Sequence, residues 1–187
     1  MEESQLIEKL KEGDRAAFKT IVERWESMVY NTALGIVQSE EDAEDVAQEV
    51  FIQVYESIDS FKEQSKLSTW IYRIAVTKSL DAIRKKKRKK RNAFLQSLYG
   101  KDDELVHDPA DFVHPGVKAE NKEDAAMLFK AIDRLPENQK TAFILNRVEM
   151  LSYKDVSEIM EVSVNSVDAL LQRAKKNLKK YLEDILD

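Results

Sequence analysis

The residues of this chain best equipped for chemistry are charged ones, and they fall in two blocks of opposite sign. Glu40, Glu41, Asp42, Glu44, Asp45 and Glu49 crowd ten positions, and Arg84 to Arg91 places eight bases in unbroken succession. Paired carboxylates can hold a divalent cation, but only when ligands converge from several elements. Here the acids recur at helical spacing along one outward face, and no second cluster stands elsewhere to meet them. The two histidines, His107 and His114, lie in a Pro- and Asp-bearing stretch that reads as linker. With no Cys, disulfides and thiolate metal sites are excluded. Neither a phosphate-cradling glycine loop nor a nucleophile elbow is present, and the chain has 4 glycines in all. No catalytic residue, metal ligand or cofactor is assigned, and an enzyme is the weakest class of reading.

Binding chemistry is better supported. Eight adjacent bases repel one another unless a polyanion neutralises them, and each phosphate so paired adds affinity that falls with salt. The run continues in phase from an apolar helix. Thr69, Tyr72, Arg73, Thr77 and Lys78 supply donors and an aromatic ring beside it. Trp70, in phase with Ile74, is assigned to the core; Tyr72 and Phe61 are the better platforms for an unpaired base. The acidic face, which also carries Gln48, forms a rigid anionic surface suited to a basic partner helix.

Helices must position both blocks. Leu6, Ile7 and Leu10 mark a first helix that Gly13-Asp14 breaks, with Asp14 capping the next. Ala17, Phe18, Ile21, Val22 and Trp25 give that helix its apolar stripe, and the pattern continues from Ser27 to Val37. Ser39 and Asp42 read as a capping box, and the acids behind them suit the positive end of the helix dipole. Phe61 to Leu67 is a polar loop, after which Ser68 or Thr69 caps a long helix. From Asn92 to Glu120 the helical period fades among acids, Gly100, Pro109, Pro115 and Gly116. Helical spacing resumes at Asn121 and runs to Leu135, then from Gln139 to Val148. Ser152 opens a short helix, Glu161-Val162 turns, and Ser163 caps a last helix: a helix-turn-helix, whose second helix enters the major groove. There Asn165, Ser166, Asp168, Ala169, Gln172 and Arg173 avoid the apolar stripe. Asn and Gln suit adenine edges, Arg suits guanine, and Asp can accept from cytosine.

The predicted fold is all-α, two small helical domains joined by a flexible linker: residues 1–91, a linker at 92–120, and 121–187 with the helix-turn-helix. The net charge of −5 conceals a marked separation. Residues 1–60 carry 15 acids and 5 bases, residues 61–92 carry 2 acids and 12 bases, and residues 127–187 balance at 10 of each. Such polarity implies two partners of opposite charge. No apolar run of membrane-spanning length occurs, and the first residues lack a signal-peptide core, so a cytoplasmic protein without membrane insertion is expected.

Three blocks in this order, SEEDAEDVAQEVFIQVYESIDSF, LSTWIYRIAVTKSLDAIRKKKRKKR and LPENQKTAFILNRVEMLSYKDVSEIMEVSVNSVDALLQRAKKNLKKYL, resemble the extracytoplasmic-function sigma factors of bacterial RNA polymerase. The resemblance implies an adaptor without catalysis, whose partners are core RNA polymerase and promoter DNA. Asp42, Asp45, Gln48 and Glu49 would dock on the polymerase. The −10 element would be melted and held by Phe61, Lys62, Ser65, Lys66, Thr69, Tyr72, Arg73, Thr77, Lys78, Arg84, Lys85 and Arg88. Asn165, Ser166, Asp168, Ala169, Gln172 and Arg173 would read the −35 element. An anti-sigma factor clamped between the domains is a further partner the family implies, and the free chain would be a monomer. Two departures stand out: Thr77 replaces a common Asn, and Asp168, Ala169 and Leu170 replace bases of the recognition helix. These imply weaker phosphate anchoring and an altered −35 preference. The alternatives are a stand-alone helix-turn-helix regulator, which would dimerise across two half-sites, and a helical scaffold that binds protein alone. Neither uses both charged helices.

Overall fold

A computed structural model describes residues 2–99 and 122–186, with side chains over 2–93 and 124–185. Most of the expected linker, including His107 and His114, falls outside the described residues. Within them stand eight α-helices and no strand: α1 (Glu3–Lys11), α2 (Arg15–Val37), α3 (Glu40–Ser57), α4 (Leu67–Tyr99), α5 (Lys122–Asp133), α6 (Glu137–Phe143), α7 (Tyr153–Met160) and α8 (Val164–Leu186). The all-α expectation holds.

Most helix starts follow local chemistry. Gly13 takes φ +79°, a backbone that side chains resist, and Asp14 then accepts from the N–H groups of Ala16 at 2.7 Å and Ala17 at 3.3 Å. The segment after Trp25 is not a separate helix, since α2 runs unbroken for 23 residues. Ser39 accepts from Asp42 N–H at 3.3 Å, while the Asp42 carboxylate pairs with Lys86 of α4. Ser152 and Ser163 cap α7 and α8 through Asp155 N–H and Ser166 N–H, each at 3.1 Å.

Two boundaries differ from expectation. Neither Ser68 nor Thr69 caps α4. The helix starts at Leu67, whose N–H donates to Glu3 Oε1 of α1 at 3.1 Å. A carboxylate 64 residues away thus satisfies a helix-start donor that no neighbouring side chain takes. At its far end α4 continues through Arg91 to Tyr99, into the range read as linker. The helix expected from Gln139 to Val148 splits into α6 and a π-helical turn, Ile144–Val148.

One core gathers the first four helices: Leu6, Ile7 and Leu10 of α1, Ile21, Trp25 and Val29 of α2, Val46, Val50 and Val54 of α3, Leu67, Ile71 and Ala75 of α4. A second is built from Phe129 and Ile132 of α5, Ile144 and Leu145 of the π turn, Val156 and Ile159 of α7, and Val167, Leu171, Ala174 and Leu178 of α8. Ile36 of α2 and Tyr72 and Val76 of α4 are buried in this second core, not the first. The C-terminal unit therefore packs against α2 and α4.

Candidate nucleic-acid interface

Crossing α3 with α4 brings the acidic and basic blocks together as two walls of one groove. Asp42, Asp45 and Glu49 line one side; Lys78, Arg84, Lys85, Lys86, Arg88 and Arg91 line the other, around about 1040 Å³. Lys86 Nζ meets Asp42 Oδ2 at 2.5 Å, and Lys78 Nζ stands 3.7 Å from Glu49 Oε2. Asp45, Gln48 and Glu49 are exposed and Asp42 is half-buried. Within that wall, Lys85 and Arg88 are exposed on α4. A polyanion at these bases, or a basic partner at these acids, would have to compete with pairs the chain makes within itself.

The outer face of α3 continues beyond the predicted polar set. Ile52 is 55% exposed and Tyr55 46%, and the Tyr55 ring meets Phe18 edge-on at 5.2 Å. Sequence reasoning missed both. Ile52 follows Gln48 by one turn and Tyr55 is three residues further, so helical phase carries the signal for an apolar extension of the anionic face.

The residues expected at the −10 strand are placed unequally. Lys62, Lys66 and Thr77 are exposed, and Ser65 is half-buried. Phe61, Thr69 and Tyr72 are buried, at 5%, 4% and 8% exposure. Phe61 packs on Trp70 with ring centroids 5.1 Å apart, and Trp70 is half-buried where the sequence assigned it to the core. Beside Trp70, a shallower groove of about 350 Å³ is lined by Gln53, Arg73, Thr77, Lys78 and Glu161.

Tyr72 and Arg73 face the C-terminal unit. Tyr72 lies beside the Glu149 carboxyl; burial, first, and then Glu149 push its phenol above the ordinary tyrosine range. Burial likewise raises the Glu149 carboxyl to about 7, with Tyr72 working the other way. Arg73 donates from Nε and Nη2 to Glu158 O at 3.0 and 2.8 Å and sets Nη1 3.3 Å from Glu161 Oε1. Arg84 Nη2 reaches Glu137 Oε2 of α6 at 2.9 Å.

On α8, Asn165, Ser166, Gln172 and Arg173 are exposed, while Asp168 and Ala169 are half-buried. Ser166 shares a 2.8 Å hydroxyl contact with Ser163, and Gln172 Nε2 donates to Asp168 Oδ2 at 2.8 Å. The turn before α8 is made by Glu161 at φ 56° and closed by Val162 N–H donating to Ser157 O at 3.1 Å. A three-residue turn between two helices that share a core is the geometry that presents the N-terminal end of α8 to a groove.

The chain matches the family model for sigma-70 region 2 over residues 21–89 and that for sigma-70 region 4 over residues 125–178. It is 32% identical to the extracytoplasmic-function sigma factor SigW of Bacillus subtilis, an alignment covering 96% of each chain. This chain is an extracytoplasmic-function sigma factor. Another relative, the sigma-E factor of Haemophilus influenzae, is 32% identical over 97% of this chain and 95% of its own. Two solved structures share the fold: CnrH bound to the cytosolic domain of CnrY, with TM-score 0.65 and 19% identity, covering 96% of both chains, and the sigma factor RpoE bound to the anti-sigma factor NepR from Bartonella quintana, with TM-score 0.63 and 22% identity, covering 89% of this chain and 96% of that one. The sigma factor thus confers promoter recognition on RNA polymerase, through region 2 on α2–α4 and region 4 on α5–α8. The free-standing regulator is not favoured, because region 2 accounts for both charged helices. Among the described residues no helix is long and apolar enough to cross a membrane, and no group of acids or histidines is arranged to hold a metal ion.

Proposed function

We propose that the sigma factor divides its work between the two walls of region 2 and the start of α8. Asp42, Asp45, Gln48 and Glu49 dock on a basic surface of core polymerase, with Ile52 and Tyr55 extending that face. Phe61, Lys62, Ser65, Lys66, Thr69, Tyr72, Arg73, Thr77, Lys78, Arg84, Lys85 and Arg88 open and hold the −10 element. Asn165, Ser166, Asp168, Ala169, Gln172 and Arg173 read the −35 element. Residues 1–91 form the first working unit and 121–187 the second, with 92–120 as the connection. The chain performs no catalysis of its own, acts in the cytoplasm and is a monomer when free. CnrH and the Bartonella RpoE are each bound to another protein in their solved structures, the latter to an anti-sigma factor; an anti-sigma partner for this chain follows from the same fold.

The observation that carries this reading is the pairing of one anionic and one cationic helix face in a single four-helix unit, Asp42 with Lys86 and Glu49 with Lys78. One protein partner and one polyanion use the two faces. Binding of the full chain to purified bacterial core RNA polymerase tests it. Wild type should bind saturably, and Asp45→Arg/Glu49→Arg should lose at least tenfold in affinity while keeping its helical circular dichroism. Equal binding by the variant would remove α3 as the docking face.

A further inference from the structure

The loop between α3 and α4 is held in shape from outside itself. Among the described residues, 62–65 make no backbone–backbone hydrogen bond, and Glu63 takes φ 56°, a left-handed backbone that side chains resist. Such a conformation persists only where its surroundings fix it. Phe61 anchors the start of the loop, buried and packed on Trp70. The polar ties to another element both come from α1. Lys11 Nζ stands 3.6 Å from Glu63 Oε1 in the middle of the loop, and Glu3 Oε1 accepts from Leu67 N–H at 3.1 Å where the loop ends. Between those two side chains, Leu6, Ile7 and Leu10 share one core with Ile58 and Phe61, so the helix that carries the ties is itself fixed to the start of the loop. All of α1 lies outside the residues matched to region 2, 21–89.

We propose that α1 is the positioning element of the strand-binding loop: Glu3 and Lys11 hold residues 61–67 in one shape, and that shape sets which base the loop accepts from the −10 strand. The inference rests on the reading of this loop as a −10 contact, and both residues act through the loop, as positioning residues. Charge gives Lys11 a second part. Glu63 is an acid between Lys62 and Lys66, and a free carboxylate there would repel the phosphates that those bases attract. Pairing with Lys11 offsets that charge and turns it toward α1. An exposed pair and a single cap each fix only part of the loop population, so losing either should cost about two- to fivefold in base discrimination without abolishing it.

Because the chain has no cysteine, a nitroxide at Gln64→Cys, exposed in the loop and outside the assigned contacts, reports on the loop in the full chain. Electron spin resonance should show an ordered component that Glu3→Ala and Lys11→Glu each convert in large part to a mobile one. Glu3→Gln, which keeps an acceptor at Leu67 N–H, and the reversal Lys11→Glu/Glu63→Lys should restore order. Lys9→Glu, an exposed α1 site with the same charge change, should leave it intact. If either Glu3→Ala or Lys11→Glu keeps the wild-type line shape, the two-point hold is overturned. The unlabelled proteins, bound to core RNA polymerase, then sort a fully randomised pool of short single-stranded oligodeoxynucleotides. Sequencing the bound fraction should show the strongest base preference of wild type falling about two- to fivefold in Glu3→Ala and Lys11→Glu and returning in the reversal, with polymerase binding unchanged. Partial unfolding would instead lower all binding in proportion and leave the preferences alone. No preference in wild type, or a loosened loop with undiminished preference, overturns the specificity role. If Ser65→Ala/Lys66→Ala also leaves every preference intact, the reading of the loop as a −10 contact is what fails, and the line shapes still decide the positioning.

Discussion

Glu149 shows how a single side chain can set the conditions under which a protein holds together. Its carboxyl is raised to about 7 because packing against α4 removes water from it. Tyr72 of α4 is the neighbour that acts against that rise. Asp155 of α7 acts on the same phenol, Arg147 on its own turn is exposed, and Met28 and Ile36, which α2 contributes to this core, carry no charge. A carboxyl exposed by unfolding or opening loses its proton near 4.5, whereas the packed one keeps it to about 7. The packed state thus holds the extra proton between these values. Its contribution is fully present below about 4.5, is lost as pH rises through about 7, and is flat beyond. Wild type should accordingly lose ~1–2 kcal/mol more stability than Glu149→Gln between pH 5 and pH 8, a figure discounted for part-exposure of the group. Thermal unfolding of both proteins at the two pH values measures the difference, and parallel pH dependences would clear Glu149 of any role.

At the scale of the helix, starts and stops separate what neighbours in sequence dictate from what distant residues supply. Asp14, Ser39, Ser152 and Ser163 each bond a backbone N–H two or three residues on, and each was legible because a cap and its donor lie within one turn. The start of α4 was not legible, since its donor is met by Glu3, brought there only by the packing of α1. The same limit governs the site. The two charged blocks were plain in the sequence, but the Asp42–Lys86 and Glu49–Lys78 pairs depend on how α3 crosses α4. Helical phase likewise gave Tyr72 a place beside the bases, yet could not say that a second core would bury it. Two substitutions exploit the contrast. Asp14→Ala removes a local cap and should cost ~1 kcal/mol in denaturant unfolding. Glu3→Ala should destabilise by a similar ~1 kcal/mol through α4, 64 residues away, and should increase amide hydrogen exchange at Leu67. Unchanged exchange at Leu67 would mean that the Glu3 cap carries no weight.

Across the whole molecule the distribution of charge links the two partners that the sigma factor must hold at once. Residues 1–60 and 61–92 carry opposite net charges of −10 and +10, and the fold sets parts of them face to face across one groove. Each pair is partly exposed, so neither contributes more than ~1 kcal/mol. Their importance lies in what becomes available when they break. On the proposed docking, a basic polymerase surface laid on Asp42 and Glu49 would compete with Lys86 and Lys78, and lysines so released would be free to neutralise phosphates. DNA drawn onto the lysines would expose the acids in turn, so each partner would favour the other by the same coupling. Asp42→Asn/Glu49→Gln removes the acids without altering side-chain size. This variant should bind single-stranded DNA about two- to fivefold more tightly than wild type, since the two broken pairs at ~0.2–0.5 kcal/mol each sum to ~0.4–1 kcal/mol. Its affinity for core polymerase should fall. The rise in DNA affinity should shrink as salt is added, because screening weakens the pairs in wild type as well. Opposite signs for the two ligands are the test: if both affinities drop together, the acids serve only to hold α3 against α4, and the coupling does not exist.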